Sequence, residues 1–214
     1  ADFANQLNVN GSFAFEDLGR LQFNGNIVLA ANSTINIPAP QALMVFRGSV
    51  SGTGVVTKEG LGSLWFGHVD GFTSTTGWGS YAQPKTTASG GIVLNNGTLV
   101  GFQQSGQANV LGTGTITMNG GQLSLRTNFG DNAVVAFGND VAVNAGLAAA
   151  TIDVGAYNKV DTILMGSLNI SPNTVLNITS IGGTANNVAF AGTGALLTGG
   201  ASGLQVFTTA NANL

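Results

Sequence analysis

Short apolar runs recur along the whole chain, and each one ends at a glycine or asparagine turn. Within a run, apolar and polar positions alternate, as in Leu7-x-Val9, Ile27-x-Leu29 and Ile92-x-Leu94. Alternation with a period of two predicts β-strands that bury one face. Because the turns fall at nearly regular intervals, the pattern favours successive sides of a coil over the arms of isolated hairpins.

The apolar runs repeat with a period in the twenties. Ile92 recurs as Ile116, a shift of 24 residues, and a step of 25 leads on to Val141. Such a period is typical of solenoids, in which each coil buries its apolar face only by stacking on its neighbours. We therefore expect an all-β fold, a parallel β-helix of about seven or eight coils that forms one domain over residues 1–214. The predicted coil starts are Leu7, Ile27, Val56, Ile92, Ile116, Val141 and Leu168, with a last one near Val188.

Two distant segments share a longer pattern. The segment from Ile27 to Ile37 and the segment from Leu168 to Ile178 place their apolar residues and one asparagine at the same offsets. Composition alone does not account for this agreement. We therefore expect the two segments to occupy equivalent positions in their coils.

Stacking of the coils would bring together polar residues that are distant in sequence. Asn95, Asn119 and Asn144 would align at one turn, where a ladder of side chains could satisfy turn backbone groups. The alternative is that asparagine serves there only as a good turn former. Arg126 and Asp153 are 27 residues apart, about one coil, and we expect them to form a structural salt bridge.

The coil spacing widens to 36 residues between Val56 and Ile92, which predicts a loop insertion at 68–89. Long loops on solenoids often carry binding, and exposed Trp and Tyr side chains suit sugars or protein partners. The alternative is a loop that folds back so that its aromatic residues cover the coil. The candidate binding residues, for surface glycans or proteins, are His68, Asp70, Phe72, Trp78, Tyr81 and Lys85.

The amino-acid composition excludes several classes of protein and of partner. Only 7% of the residues are charged and 33 are glycine, whereas ordinary globular domains have roughly 25% charged residues. The net charge is −3 and the six basic residues are scattered, so the chain lacks the basic stripe that nucleic acid requires. The chain has no cysteine, which excludes a disulfide scaffold. It also has no apolar run of about 18 residues, so we expect no membrane-spanning helix.

Candidate catalytic groups are sparse. A parallel β-helix can host polysaccharide lyases and hydrolases, but these need clustered carboxylates as an acid and base pair or as calcium ligands. Of the nine acidic residues only Glu16 and Asp17 are adjacent, and neighbours on a strand point to opposite faces. His68 has no second histidine to share a metal. We therefore predict no catalytic residue, no metal and no cofactor.

One stretch resembles a known family, the autotransporter-associated β-strand repeat of bacterial surface proteins. The resemblance covers about residues 48–125 and is carried by Gly52, Gly54, Thr57, Lys58, Gly60, Gly62 and Leu64. It implies a right-handed parallel β-helix that serves as a passenger or stalk outside the cell. The repeat itself carries no catalytic residues. In the family, a short connection leads from the aromatic turn to the next strand. The long insertion in this chain departs from that pattern.

Together these features predict a non-catalytic extracellular structural or adhesive β-helix of a bacterial surface protein. The alternative is a β-helix that binds or cleaves polysaccharide. Neither end of the chain shows an obvious cap, although the tail is strand-like at Leu204-x-Val206. Because uncapped solenoids expose strand edges, we expect either that the chain continues in a longer protein or that subunits stack end to end into a fibre.

Overall fold

The computed structural model describes residues 1–67, 86–104, 109–128, 132–145, 149–156, 161–180, 186–191, 195–198, 204–208 and 212–213. None of these residues belongs to a helix that is long and apolar enough to cross a bilayer. They form β-strands, and the bounds of the strands in chain order are β1 Asp2–Phe3, β2 Leu7–Val9, β3 Phe13–Ala14, β4 Arg20–Phe23, β5 Ile27–Leu29, β6 Ser33–Asn36, β7 Leu43–Phe46, β8 Val50–Gly52, β9 Val56–Glu59, β10 Ser63–Phe66, β11 Ile92–Leu94, β12 Thr98–Gln104, β13 Ile116–Met118, β14 Gln122–Asn128, β15 Val134–Ala136, β16 Val141–Val143, β17 Ala150–Ala156, β18 Thr162–Met165, β19 Leu168–Ile170, β20 Thr174–Ser180, β21 Asn187–Phe190, β22 Ala195–Thr198, β23 Leu204–Thr208 and β24 Ala212–Asn213.

The strands stack as a parallel β-solenoid, which confirms the predicted fold class. Side 1 is the parallel sheet β1-β4-β7-β10-β12-β14-β17-β20, and side 3 is the parallel sheet β3-β6-β9-β11-β13-β16-β19. Side 2 carries β2-β5-β8 towards one end and β15-β18-β21 towards the other. In chain order each coil passes from side 1 to side 2 to side 3.

Irregular backbone continues side 2 between its two sheets. The Thr87 amide donates to the Val50 carbonyl at 2.8 Å, and the Thr113 amide donates to the Ala88 carbonyl at 2.8 Å. Thr86 and Ala88 are buried. Residues 86–89, the last part of the predicted loop insertion at 68–89, therefore lie in the coil.

The register along side 3 agrees with the predicted period. Val56, Ile92, Ile116, Val141 and Leu168 are direct partners on consecutive strands. All five are buried, with exposed fractions of 0 to 3%. These predicted coil starts are therefore correct to the residue.

The predicted equivalence of the two longer segments is wrong. The segment from Ile27 to Ile37 turns from side 2 to side 3, whereas the segment from Leu168 to Ile178 turns from side 3 to side 1. Val188 also lies on side 2, where it pairs with Ile163. The shared apolar and asparagine pattern specifies a bend between two short strands, and the solenoid uses that bend at more than one corner.

The stack makes about six turns, slightly fewer than the seven or eight coils predicted. At the N-terminal end the first coil is thin, since β1, β2 and β3 have only two or three residues each. At the other end the chain reverses after β21. The strands that follow close the stack instead of extending it.

This reversal forms a cap at the C-terminal end. β22 pairs antiparallel with β21, β23 pairs antiparallel with β20, and β24 pairs antiparallel with β19. The chain thus winds back over all three sides in the opposite direction. Our expectation that the tail is no cap is wrong, because the strand-like tail itself covers the edges of the last coil.

A column of phenylalanine rings runs inside side 1. Neighbouring ring centroids are 5.4 to 6.1 Å apart, and each such pair contributes about 0.5–1.5 kcal/mol beyond burial; the rings belong to Phe3, Phe23, Phe46 and Phe66. The next position on side 1 is Gly101. A Cβ there would lie 2.9 Å from Leu111 and 3.0 Å from Phe137. These two side chains therefore fill the core where the column ends.

Candidate functional site

The six predicted binding residues lie outside the described residues. His68, Asp70, Phe72, Trp78, Tyr81 and Lys85 all fall within residues 68–85. Their role as a binding site stays a prediction. Candidate chemistry in the described part of the chain has to be sought on the coils.

A groove on the outer face of side 1 is the candidate site. It crosses β10, β12 and β14 and has a volume of about 270 Å³. Parallel register places Ser63, Thr98 and Gln122 in one row and Trp65, Val100 and Ser124 in the next. The full lining is Ser63, Trp65, Thr98, Val100, Gln122, Ser124 and Arg126.

Strand alternation explains why these side chains point outwards. Along β10, Leu64 and Phe66 are buried in the core, so Ser63 and Trp65 face the opposite way and are partly exposed. On the next two strands Leu99 and Leu123 join the core. Adjacent strands are about 4.8 Å apart, so the outward row forms a closely spaced strip of hydroxyl and amide groups beside one indole.

One end of the groove is formed by a buried ion pair. The Arg126 guanidinium bonds the Asp153 carboxylate, and their side chains are only 5% and 2% exposed. The same guanidinium donates to the Asp153 carbonyl at 3.0 Å and to the Leu125 carbonyl at 3.1 Å. The Thr179 hydroxyl donates to the Asp153 carboxylate at 2.8 Å. This confirms that Arg126 and Asp153 are neighbours joined by a salt bridge.

Lys58 lies inside the solenoid, in the stretch that resembles the repeat. Its side chain is fully buried and its Nζ donates to the Glu59 carbonyl at 2.6 Å, the Gly60 carbonyl at 2.7 Å and the Asn96 carbonyl at 3.3 Å. Burial lowers the pKa of Lys58 to about 8, while the Glu59 charge acts in the opposite direction. Lys58 therefore joins two coils, because its Nζ binds carbonyls of its own coil and the Asn96 carbonyl of the next coil.

Carboxylates in the described part also join neighbouring coils. Asp161 accepts from the Thr127 hydroxyl at 2.7 Å and from the Ala133 amide at 3.2 Å. Asp140 accepts from the amide of Ser167 at 2.7 Å and from its hydroxyl at 2.8 Å, and these bonds hold the pKa of Asp140 below its usual value. Within the described ranges no three His, Cys, Asp or Glu side chains are close enough together to hold a metal ion.

The predicted asparagine ladder is correct in part: it is present in two pieces, and its bonds join side chains where turn backbone groups were expected. The Asn119 side-chain amide donates to the Asn95 side-chain oxygen at 2.7 Å, and the Asn95 amide donates to Glu59. Farther along the same side, the Ser171 hydroxyl donates to Asn144. The asparagines therefore bond side chains of adjacent coils as well as forming turns, and glutamate and serine occupy equivalent positions in the ladder.

The groove residues were missed in the sequence. One sequence feature indicates the groove. Leu64 and Phe66 alternate with Ser63 and Trp65, so the two apolar residues face the core and Trp65 faces outwards. Thr98 and Gln122 gave no signal alone, because only the register of three coils brings them beside Trp65. In the sequence, the segment around Trp78 holds more unusual side chains than the Ser63-x-Trp65 strand does.

Comparisons with known proteins give no relative. No family model matches the chain, and no curated protein or solved structure matches it either. The resemblance to the autotransporter-associated repeat therefore stays a prediction that rests on residues 48–125.

Proposed function

We propose that the chain is a non-catalytic structural or adhesive β-helix on the surface of a bacterium or secreted from it. The observation that carries this proposal is the use of charged groups between coils. Lys58, Arg126, Asp153 and Asp161 are buried, and their polar atoms bond backbone or side chains of an adjacent coil. Groups committed in this way hold a scaffold together and are poorly placed to transfer protons to a substrate.

The extracellular location is supported by composition and by the family resemblance. The chain has few charges, and its Thr57-Lys58 stretch resembles a repeat of surface-exposed bacterial passengers. Surface labelling of intact cells that express the full natural gene tests this location. Labelling of the chain on intact cells is expected, whereas labelling only after lysis would contradict the proposal.

The alternative enzyme function predicts cleavage of a polysaccharide. Purified protein should be incubated with acidic and neutral polysaccharides, and both new reducing ends and unsaturated products should be measured. We expect no turnover above a heat-denatured control. Sustained cleavage that is lost in a folded single-carboxylate variant would overturn the structural assignment.

Self-association is expected at the N-terminal end of the stack. In the described part of the chain no strand covers the outer edges of β1, β2 and β3, and Phe3 is 47% exposed. The other end is closed by the antiparallel strands β22, β23 and β24. For the polypeptide of residues 1–214 we therefore propose pairs of subunits that meet at these edges, in place of the end-to-end fibre predicted from the sequence.

Light scattering after size exclusion tests this pairing. The expected mass is twice the 21.5 kDa of one chain, and Phe3→Lys should shift the protein to the monomer. Leu61→Lys is the matched control, since Leu61 is an exposed leucine, 62% exposed, away from the first coil. A monomer at high concentration, or long fibres in electron micrographs, would contradict the proposal.

A further inference from the structure

We propose that the groove on side 1 binds a neutral saccharide chain, with the Trp65 indole as its stacking surface. This inference specifies the ligand class for the adhesive form of the proposed function and rests on it. It assigns recognition to the coils themselves, in addition to any role of the loop at 68–85.

The polar groups of the groove are available to a ligand. The hydroxyls of Ser63 and Thr98, the amide of Gln122 and the indole N–H of Trp65 bond no protein group within the described residues. All four belong to neighbouring strands of one parallel sheet. Hydroxyl and amide groups both donate and accept hydrogen bonds, which matches the hydroxyls of a sugar.

An apolar surface lies beside these polar groups. Trp65 stands in register with Val100 on the next coil. Val100 is only 2% exposed, so the partly exposed indole is the apolar surface that a ligand can reach next to the polar row. Small-ligand sites generally combine a largely apolar lining with a few convergent polar groups. A sugar ring likewise has an apolar part, its C–H face, and a polar part, the hydroxyl groups on its rim.

The charged groups that line the groove favour a neutral ligand over an acidic one. Arg126 is the one cation in the described lining, and its guanidinium already bonds the Asp153 carboxylate and two carbonyls. Uronates, sulfated sugars and phosphates would need a cation that is free to bind them. A neutral chain needs none, so the groove favours it over an acidic polysaccharide.

The volume limits how much ligand the groove holds. At about 270 Å³ it lies just below the range for small-ligand sites, roughly 300–1,000 Å³. A short stretch of a sugar chain, about one or two rings, fits this volume. Binding of such a short stretch is expected to be weak, so a surface protein would use many copies to adhere.

Isothermal titration with neutral and acidic oligosaccharides tests the inference. The probes are cello-, malto- and mannohexaose, with hexagalacturonate as the acidic comparison. We expect at least one neutral probe to bind and hexagalacturonate to bind at least about tenfold more weakly. Tighter binding of the acidic probe, or no binding by any probe, would overturn the proposal.

Variants locate the site. Trp65→Ala and Gln122→Ala should each weaken binding of the neutral probe by about tenfold or more, whereas Trp65→Phe should keep most of it because an aromatic face remains. Circular dichroism melting must show that each variant is folded. The matched control is Leu18→Ala, which changes an apolar residue that is 67% exposed and lies outside the groove lining, and it should leave the affinity unchanged. Full binding by both Trp65→Ala and Gln122→Ala would refute the groove.

Failure of this inference is distinguishable from failure of the proposed function. A protein that neither binds nor cleaves sugars remains a structural β-helix without the groove site. A protein that cleaves sugars contradicts the non-catalytic assignment, whichever residue binds them.

Discussion

Arg126 and Asp153 form an ion pair between adjacent coils of side 1, and their side chains are only 5% and 2% exposed. Their positions differ by 27 residues, one coil of the solenoid. The pair satisfies its charges with backbone carbonyls and the Thr179 hydroxyl. Because water is excluded from both groups, the coils depend on the pair remaining intact.

Removing either partner alone should be costly. Arg126→Met and Asp153→Leu each leave one uncompensated buried charge, and we expect each to lower the free energy of unfolding by about 3–5 kcal/mol. The double variant buries no charge, so its loss should be well below the sum of the two single losses. Urea unfolding followed by circular dichroism measures all three variants. Additive losses would show that the two side chains act independently.

Lys58 should give the protein a distinctive alkaline pH dependence. Burial lowers its pKa in the folded chain to about 8, from 10.5, so between these values the unfolded chain binds more protons. The free energy of unfolding should therefore rise by up to about 3 kcal/mol between about pH 8 and pH 10.5. Below pH 8 Lys58 is charged in both states, so the folded chain bears the whole cost of burying that charge.

Lys58→Met is the matched comparison for this pH dependence. Leu94 pairs with Lys58 on one side and with Met118 on the other, so methionine already occupies the equivalent position two coils away. Subtracting the unfolding free energies of this variant from those of the wild type cancels the other titrating groups. A difference that stays flat from pH 8 to 10.5 would contradict the lowered pKa.

The glycines of the Thr57-Lys58 stretch should be intolerant of side chains. Gly60 has a φ of +77°, and a Cβ there would clash with the Ile37 carbonyl of the preceding coil. Gly60→Ala should therefore cost more than about 1 kcal/mol. Gly11→Ala is the control, since nothing lies within 4 Å of its Cβ position, and its effect should stay within about 0.5 kcal/mol. Equal melting temperatures for the two variants would count against the tight corner.

The register of side 3 was predictable because each coil repeats one apolar position. Residues such as Ile92 and Ile116 point inwards, and a shift by one residue would turn the apolar side chains of the strand outwards. The pattern therefore fixes both the period and the partners. It also placed Arg126 next to Asp153, since both lie on side 1 and differ by one coil length.

The C-terminal cap was not predictable from the same pattern. Parallel and antiparallel strands both alternate with a period of two, so Leu204-x-Val206 reads the same in a further coil and in a strand that runs back. The groove was hidden for a related reason. Its residues come from three coils, and only the register of β10, β12 and β14 shows that Gln122 lies near Trp65.

The central claim is that buried carboxylates in the described part of this chain join its coils. Its most direct test is the urea unfolding free energy of Asp161→Asn compared with that of Asp2→Asn. Asp161 is 1% exposed and accepts from the Thr127 hydroxyl and the Ala133 amide, whereas Asp2 is 52% exposed and lies 3.6 Å from Arg20. We predict a loss of about 1–3 kcal/mol for Asp161→Asn and a loss below about 1 kcal/mol for Asp2→Asn. Equal losses, or a more stable Asp161→Asn variant, would contradict the claim.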